Sequence, residues 1–484
     1  MFWIDIDKKS SVPMIRQLYG RIREAILAGW LTPGSRLPAS RELAKTLQIS
    51  RNVVLEAYDL LYAEGFLAAR QGAGTFVAEG AAFPGDHTRN LRKEPPTVEK
   101  VTMGYDCPPG IINFRAGTPN LSLFPKKLWL KLQREALMMP TEEMLAYGHP
   151  EGRRELREAI CKYVVTQREV NCHPEQIVIT AGTTQAIGIA CHLLLGERRE
   201  VVLEDPITRD IQLIVTSHGG ILHPVPVDSD GMQTAQLPES LSPAFVYVTP
   251  SHQFPIGGTL TIQRRIDLLN YADRTGAYII EDDYDSEFRF DGPPLSSLHG
   301  LHPERVVYIG TFSKTLCPAI RIGYLVLPAP LINLGRSRKW QSDLHNEVTS
   351  QLTLARFIDE GCYLRHVGMM RKHYQERRKD VIRALAHNFG DQAEVMGSAT
   401  GLHLVARFPG RQFTDNFFTG TAAAGARFYP VESHAINPGR HTDKLLIGYG
   451  NLSREAIAEG ITILADFLGR NPHEPMMKTP AKRC

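Results

Sequence analysis

The chain has 484 residues, more than a single hydrophobic core usually organises, so its length predicts two or more domains. With 43% hydrophobic and 22% charged residues, it has the composition of a soluble globular protein. A net charge of +3 is too small to indicate a nucleic-acid-binding protein by itself, so any such role must belong to one segment.

The cysteines and the apolar runs indicate in which cellular compartment the protein works. The seven cysteines are scattered, with no CxxC pair and no zinc-type cluster with histidine, which is typical of reduced thiols in a cytosol. The N-terminus, MFWIDIDKKS, lacks a basic region followed by an apolar core, and no apolar run is long enough to span a bilayer. We therefore expect a soluble, cytoplasmic protein.

Residues 1 to 80 carry the spacing of a small helical domain. The earliest apolar residues recur every three or four positions, which predicts a first helix of about four turns. Ser40 and Ser50 are suitable N-caps for two further helices, Arg41 to Leu47 and Arg51 to Glu64. So tight a connection between two short helices predicts a helix-turn-helix, and the glycine-rich segment that follows predicts a β-hairpin or wing.

The start of the third helix carries residues that can read DNA. Arg51 and Asn52 lie at the amino end of the predicted recognition helix, the end that enters the major groove. Arg41, Arg36 and the backbone near Gly72 are then expected to meet phosphates or the adjacent groove. The segment holds ten Lys or Arg against eight Asp or Glu, so binding requires clustering of the positive charges. The alternative is a three-helix module that binds protein.

Pro33 to Val77 read PGSRLPASRELAKTLQISRNVVLEAYDLLYAEGFLAARQGAGTFV. This run resembles the winged-helix DNA-binding domain of the GntR family of bacterial regulators. The resemblance implies a double-stranded DNA operator as partner. Carried over by position, the DNA contacts of the family fall on Arg41, Ser50, Arg51, Asn52 and Gly72.

Residues 81 to 110 hold five prolines, scattered charges and no helical or alternating period. This composition predicts a flexible to semi-extended linker. A linker of this kind lets two domains take different relative positions. Residues 471 to 484 are expected to form a C-terminal tail.

In residues 111 to 470, apolar strands alternate with helical patterns. The alternation predicts an α/β domain with a mainly parallel sheet, whose ligands bind beyond the carboxyl ends of the strands. The predicted strands are Gln176 to Thr180, Glu200 to Leu203, Ala244 to Val248, Ala277 to Glu281, Arg305 to Ile309 and Tyr324 to Leu327, and the helices include Thr184 to Leu195 and Ile262 to Thr275.

A lone lysine follows one of these strands. Lys314 lies in a Gly/Thr/Ser turn, and Arg321 comes seven residues later. An amine that forms a Schiff base must be held in one place and partly desolvated, so that its neutral form is accessible. Lys314 fits this description, and the alternative is a solvated loop lysine.

Two other strand ends carry candidate ligands. Gly182, Thr183 and Thr184 precede a helix, so their backbone N–H groups and hydroxyls suit a phosphate, although an ordinary capped turn has the same pattern. Asp282 and Tyr284 follow another strand, where a carboxylate can pair with a protonated ring nitrogen. A magnesium site is the competing interpretation, but no further acidic strand end converges, and we expect no metal.

The three features, each after its own strand, resemble the fold type I pyridoxal 5'-phosphate (PLP) enzymes of the aspartate aminotransferase class. The resemblance spans Asn113 to Leu468 and implies PLP as cofactor, held as an internal aldimine on Lys314. It also implies that Asp282 pairs with the pyridine nitrogen and that Tyr284 bonds the ring hydroxyl. The implied phosphate ligands are Gly182, Thr183, Thr184, Thr311 and Arg321, with Tyr147 reaching the phosphate from the partner subunit of a homodimer.

A winged helix-turn-helix joined by a linker to a fold type I PLP-dependent aminotransferase-like domain is the architecture of the MocR subfamily of bacterial transcription factors. This chain resembles that subfamily over about its whole length. The motifs that carry the likeness are TPSHQFPIGGTL, IIEDDYDSEFRF and YIGTFSKTLCPAIRIGYLVLP, which begin at Thr249, Ile279 and Tyr308.

Departures from working aminotransferases change the surroundings of the cofactor ring. Phe254 replaces the Asn that bonds the ring hydroxyl, so this function is left to Tyr284, with His252 or Gln253 as candidate helpers. Thr208 replaces the aromatic residue that commonly lies over the ring, so stacking is lost.

The arginines that bind ligand carboxylates are also replaced. Leu446 and Ser433 stand at the positions of the substrate arginine and of the arginine used by the GABA-responsive member. A missing guanidinium removes a charge-assisted contact of about 1.5–3 kcal/mol per hydrogen bond, which weakens ordinary α-amino acids and GABA as ligands. The candidate substitutes are Arg209, Arg115 and Arg440.

Together these features predict a transcriptional regulator that changes its operator binding in response to PLP or to an amine or amino-acid effector. At most residual transaminase activity is expected. One alternative is a PLP-dependent aminotransferase with a vestigial DNA-binding domain. Another is a regulator of vitamin B6 supply that senses PLP with no second ligand.

Overall fold

The computed structural model describes residues 4–70, 72–81, 107–138 and 141–470. The chain divides into two compact units, Met1–Tyr105 and Asp106–Cys484. Most of the predicted linker, residues 81 to 110, and the whole predicted tail, residues 471 to 484, lie outside the described residues. No described helix is both long enough and apolar enough to cross a membrane.

The first unit is three helices followed by a hairpin. Apolar side chains of all three helices, among them Leu18, Ile22, Leu43, Val54 and Leu61, form its buried core. The two hairpin strands pair antiparallel. The elements are α1 Met14–Leu27, α2 Ser40–Leu47, α3 Arg51–Ala63, β1 Leu67–Arg70 and β2 Gly74–Val77.

The two predicted helix caps have different outcomes. The hydroxyl of Ser50 accepts from the backbone N–H of Val53 at 3.3 Å, so the predicted cap of α3 is confirmed. The cap predicted at Ser40 is wrong, because α2 already begins at that residue and Ala39 precedes it. The hydroxyl of Ser40 instead accepts from Nε of Arg51 at 3.3 Å.

The second unit contains an eight-stranded sheet in the order β4-β11-β10-β9-β8-β5-β6-β7. The helices of this unit are α4 Lys126–Met138, α5 Glu142–Leu145, α6 Arg154–Arg168, α7 Thr183–Leu194, α8 Arg209–Ser217, α9 Ile262–Thr275, α10 Leu298–Leu301, α11 Ile332–Asp343, α12 Val348–Asp359, α13 Cys362–Phe389, α14 Asp415–Ala423 and α15 Arg454–Arg470. The strands are β3 Ile112–Asn113, β4 Ile177–Thr180, β5 Glu200–Asp205, β6 Ile221–Asp228, β7 Gly231–Met232, β8 Phe245–Val248, β9 Tyr278–Asp283, β10 Val306–Thr311, β11 Gly323–Val326, β12 Glu394–Met396, β13 His403–Arg407, β14 Ala426–Arg427, β15 Tyr429–Pro430 and β16 Lys444–Gly448.

The predicted α/β class and the mainly parallel sheet are confirmed. Strands β5, β6, β8, β9 and β10 run parallel, whereas β11 is antiparallel to both of its neighbours, β10 and β4. The segment between β10 and β11 contains no α-helix and is too short for a parallel crossover, so the chain must reverse there. Because β4 is antiparallel to β11, it again points the same way as β10.

A second sheet follows, with the order β12-β13-β16-β15 and antiparallel pairing throughout. Helices α13 and α15 pack beside each other, and their apolar residues share one core with β13 and β16. The opposite face of β13 and β16 turns Val405 and Leu446 toward Ile256 of the large sheet's loops. This face closes one side of the site described below.

Partly buried Glu287 is expected to make the stability of the second unit depend on pH. Its carboxyl accepts from the hydroxyl of Tyr163 at 2.8 Å, and burial, reinforced by the charge of Asp283, raises its pKa to about 7. An acid whose pKa is higher in the folded chain destabilises the fold as pH rises from the unfolded pKa, about 4.3, to the folded one. The melting temperature of the wild-type protein should therefore fall as the pH rises between these values. In Glu287→Gln, which cannot ionise at this position, that fall should be smaller.

The measurement is thermal unfolding of the wild-type protein and the variant across that pH range. Glu304→Gln, at an exposed position, serves as the control and should keep the wild-type profile. An unchanged profile in Glu287→Gln would contradict the assignment of the titration to this carboxyl.

Candidate cofactor site and DNA interface

The predicted cofactor ligands follow strands that end at one edge of the large sheet. Strands β4, β9 and β10 point the same way, so their carboxyl ends meet at this edge. The guanidinium of Arg321 lies beside Gly182, and the charges of Asp282 and Arg321 both act on Lys314. The structure therefore brings the turn after β4, the end of β9 and the lysine after β10 into one site.

Lys314 is held in place and partly desolvated. Its Nζ donates to the carbonyl oxygen of Gly117 at 2.8 Å. Burial lowers the pKa of Lys314, with the charge of Asp285 opposing this effect and that of Arg115 adding to it. A Cβ on Gly117, where φ is +71°, would lie 3.1 Å from Nζ, so a side chain there would crowd the amine. A lowered pKa increases the share of neutral amine, which is the form that acts as a nucleophile.

The amino end of α7 and Arg321 form a site for an anion. Gly182 precedes α7 with φ +93°, and a Cβ there would lie 2.9 Å from both terminal nitrogens of Arg321. The arginine donates to the carbonyl of Ala181. Free backbone N–H groups at a helix start, together with a guanidinium, favour a phosphate. Thr183 and Thr184 begin the helix, and the Thr311 hydroxyl lies 3.0 Å from that of Ser313.

Asp282 is held with one oxygen unused. The hydroxyl of Tyr247 donates to Oδ2 at 2.5 Å, whereas the buried Oδ1 has no hydrogen-bond partner among the described residues. Burial raises the pKa of Asp282 to about 7. A buried carboxylate oxygen without a donor is costly, and a protonated ring nitrogen would satisfy it. This carboxylate therefore fits the pyridine of PLP.

The neighbouring carboxylate, Asp283, is paired through one oxygen, and its Oδ1 has no hydrogen-bond partner among the described residues. Its Oδ2 accepts from Nε of Arg168 at 2.7 Å and from the hydroxyl of Tyr308 at 2.5 Å. The buried cation that two adjacent acidic residues suggest is thus an arginine of α6.

Tyr284 lies in a network that includes His252. The hydroxyl of Tyr284 is 3.0 Å from Nδ1 of His252, which is also 3.0 Å from both carboxylate oxygens of Asp285. Gln253, the other candidate helper, is occupied elsewhere, because its amide donates to the carbonyls of Pro206 and Phe254. The structure thus favours His252 as the helper of Tyr284.

The same network brings three metal-ligating side chains together. His252, Asp285 and His403 place ligand atoms within 4.8 Å of one another. Nδ1 of His252 is taken by the contacts above, and Nε2 of His403 lies 3.1 Å from the carbonyl of Pro255. These two ring nitrogens already have hydrogen-bond partners, whereas the buried Nε2 of His252 has none among the described residues.

The residues that depart from the aminotransferase pattern lie as follows. Phe254 packs edge-on against Tyr284, with ring centroids 6.3 Å apart, and offers no hydrogen bond. Leu446 is buried against Ile256, Val405 and Val431, so an apolar cluster occupies the place expected for a carboxylate-binding arginine. Ser433 is exposed and donates to the carbonyl of Pro430.

Among the candidate substitutes for the lost arginines, Arg115 is near enough to Lys314 for its positive charge to lower the pKa of that lysine. Arg209 and Arg440 are exposed. Arg115 is therefore the substitute that the electrostatics of the site support.

Several residues of the site were not predicted from the sequence. Tyr247 lies inside a strand with an ordinary buried pattern, and nothing local indicates that its hydroxyl reaches Asp282. Gly117 precedes the sheet by many residues, although its place in FRAGTPN marks a turn. Asp285 was visible within the motif EDDYDSEF, but its partner His252 lies on another strand end.

Tyr147 is 87% exposed and packs edge-on against His345, with ring centroids 6.2 Å apart. The resemblance implies that Tyr147 contacts the PLP phosphate in the partner subunit of a homodimer, and a single chain does not test this. That role stays a prediction.

In the first unit, the predicted DNA contacts are all exposed. Ser50 caps α3, and Arg51 and Asn52 are its first two residues. The bond from Arg51 to Ser40 joins this end to the amino end of α2, where Arg41 lies. Gly72, with φ +75°, belongs to the turn of the hairpin. Arg36 pairs with Phe76 of the wing, and its guanidinium lies beside Gly74. These positions form a candidate DNA interface of helix start and wing.

Comparison with known proteins covers both units. Residues 109–422 match the family model "Aminotransferase class I and II", and residues 14–77 match "Bacterial regulatory proteins, gntR family". The probable rhizopine catabolism regulatory protein MocR of Rhizobium meliloti is 33% identical over 95% of this chain and 94% of its own length. The HTH-type pyridoxine biosynthesis transcriptional regulator PdxR of Corynebacterium glutamicum is 32% identical over 77% of this chain and 78% of its own length.

A solved structure with the same fold is LysN, the α-aminoadipate aminotransferase of Thermus thermophilus, complexed with N-(5'-phosphopyridoxyl)-L-leucine. It is 27% identical, with a TM-score of 0.69, and the match covers 75% of this chain and 93% of that one.

Arg321→Ala should weaken the binding of PLP by about tenfold or more, because charge-assisted hydrogen bonds to a phosphate are lost. Binding of pyridoxal, which lacks the phosphate, should change little. Absorbance titration with both compounds tests this, and Arg209→Ala, at an exposed position, is the control. Equal losses for PLP and pyridoxal would place the phosphate elsewhere.

Proposed function

Because the chain belongs to the MocR family of transcriptional regulators, in which a GntR domain precedes an aminotransferase class I and II domain, we propose that it regulates transcription through PLP bound at Lys314. The observation that carries this proposal is that one site contains both a desolvated, anchored lysine and a buried Asp282 oxygen with no donor among the described residues. Either group alone is compatible with a purely structural role. Together they supply two contacts that a phosphopyridine uses, one for its aldehyde and one for its ring nitrogen.

When bound, PLP supplies an aldehyde that captures amines and a ring that withdraws electrons. In the proposed site, the amino end of α7 and Arg321 hold the phosphate, and Asp282 keeps the ring nitrogen protonated. Tyr284 donates to the ring oxygen. Gly117 fixes the direction from which the amine of Lys314 approaches.

The proposed domain organisation follows the predicted boundaries. Residues 1 to 80 read the operator, residues 81 to 110 connect, and residues 111 to 470 bind the cofactor. A role on DNA requires a cytoplasmic protein, as the scattered cysteines predict.

The site favours sensing over turnover. The apolar packing of Leu446 gives an α-carboxylate no guanidinium at that position, and Phe254 gives the ring hydroxyl no amide. Both losses weaken the contacts that a transaminase needs in its transition state. We therefore place the protein among regulators with at most residual transaminase activity rather than among enzymes with a vestigial DNA-binding domain.

The proposed signal is PLP itself or an amine or amino-acid effector. The apolar position of Leu446 disfavours ordinary α-amino acids, whereas the nearby charge of Arg115 supports a ligand with a carboxylate elsewhere. The similarity to a relative named for pyridoxine biosynthesis supports PLP itself as the signal, with no second ligand.

Signal transmission is proposed to act through a homodimer. Exposed Tyr147 supports this arrangement, because its implied partner is the phosphate of the other subunit. Each winged helix recognises one half-site, so a change in their spacing changes which pairs of half-sites are held together. An effector can drive that change only by binding one conformation better than the other.

Lys314→Ala should abolish covalent attachment of PLP. Borohydride reduction of the loaded protein, followed by peptide mass spectrometry, should find a pyridoxyl group on Lys314. Lys339→Met is the matched control, because Lys339 is a buried lysine whose pKa is also lowered by burial, yet it pairs with Asp343. A modified Lys339 and an unmodified Lys314 would refute the assignment.

The same preparations test the signal. Operator binding measured with PLP alone, and then with PLP and candidate amines, separates the two candidate signals. Transamination at enzymatic rates would favour the enzyme alternative.

Arg51→Ala should reduce discrimination between an operator and unrelated DNA by about fivefold or more, since a base contact is lost. Arg41→Ala should weaken binding to all DNA and reduce the slope of log K against log salt by about 0.9, since a phosphate contact is lost. Binding of fragments selected from random DNA, measured across salt concentrations, gives both values. Arg21→Ala, at an exposed position of α1, is the control, and unchanged binding in both test variants would contradict the groove placement.

A further inference from the structure

Three side chains form a continuous line at the cofactor site. Nδ1 of His252 lies 3.0 Å from each carboxylate oxygen of Asp285 and 3.0 Å from the hydroxyl oxygen of Tyr284. The side chains of His252 and Asp285 are each 1% exposed. Water therefore has little access to the contact between these two side chains.

The carboxylate decides where the imidazole proton lies. Nδ1 either carries a proton and donates it or lacks one and accepts. Without the proton, its lone pair would face both oxygens of Asp285, and a buried carboxylate would lose its donor. The proton therefore stays on Nδ1, shared between Asp285 and the oxygen of Tyr284.

This arrangement determines what Tyr284 can do. Since Nδ1 of His252 is a donor, the oxygen of Tyr284 accepts from it and cannot donate back. The hydroxyl proton of Tyr284 is then left for another acceptor. Donation from His252 also polarises the hydroxyl and makes it a stronger donor.

We propose that His252, held in this tautomer by Asp285, is a positioning residue that directs the proton of Tyr284 to the ring oxygen of bound PLP. The inference rests on the proposed function, since it requires PLP at Lys314. It explains how this site keeps a polarised ring oxygen although Phe254 stands where working aminotransferases carry an amide. His252 takes over the support of that oxygen, acting through Tyr284.

The other groups around the imidazole do not alter this assignment. His403 on β13 packs against His252 with ring centroids 4.8 Å apart, and burial lowers the pKa of His403 well below its usual value, so it is neutral. Gly401 packs so tightly that a Cβ there would lie 2.5 Å from Nδ1. The imidazole is thereby fixed in its pocket.

The experiment is a spectrophotometric pH titration of full-length, PLP-loaded protein. A hydrogen bond to the ring oxygen stabilises its ionised form and lowers the pKa of the bound chromophore. Tyr284→Phe should raise that pKa by about one unit, which corresponds to about 1.4 kcal/mol. His252→Leu should raise it by about half a unit. His252→Asn should stay near the wild-type value, because its amide has two protons, one for Asp285 and one for Tyr284.

The double variant separates positioning from general disturbance. In the Tyr284→Phe background, His252→Leu should add no shift, whereas an equal shift in both backgrounds would overturn the proposal. If the Leu variant does not fold, the Asn variant decides, since a rise as large as that of Tyr284→Phe is incompatible with rescue. Dialysis against EDTA should leave the titration unchanged, and a shift would make the cluster a metal site instead.

Failure of the proposed function gives a different result. A wild-type protein that develops no visible band with PLP overturns that function and this inference together. If the wild-type protein develops a normal PLP band but the pKa shifts of the Tyr284 and His252 variants add in the double variant, only the role of His252 is overturned.

Discussion

The ion pair between Arg168 and Asp283 underlies the whole cofactor site. Adjacent residues of a strand point to opposite faces of a sheet, so Asp282 and Asp283 cannot share one partner. The helix α6 supplies a buried guanidinium to one face, where Asp283 accepts at 2.7 Å and the hydroxyl of Tyr308 adds a second bond. With that charge satisfied, the neighbouring Asp282 can be kept in a desolvated position with an oxygen reserved for a ligand.

The features of the fold that depend on the order of neighbouring residues could be predicted from the sequence. The alternation of strands and helices predicted the sheet, and the comparisons confirm both the GntR-type first domain and the aminotransferase-like second one. Strand ends are predictable as sites because parallel strands share one carboxyl edge. The individual site residues were predicted by position, and their roles remain predictions.

The rest could not be predicted because it depends on contacts between distant segments. Tyr247 meets Asp282, and Lys314 meets Gly117, only after the sheet has formed. The reversed strand β11 and the second antiparallel sheet follow from connection lengths and tertiary packing rather than from local pattern. Ser40 shows the same limit at small scale, because a hydroxyl suited to cap a helix is used by the arginine of the next one.

The hydrogen bond between Lys314 and Gly117 has a further consequence for communication within the chain. Gly117 lies shortly after β3, near the beginning of the described second unit, and β3 pairs with β14 of the C-terminal part. The amine thus anchors the stretch through which the polypeptide arrives from its DNA-reading half. A ligand that bonds to Nζ of Lys314 competes with the Gly117 carbonyl for the protons of this amine. Binding of the ligand and attachment of this stretch of backbone therefore depend on the same atom.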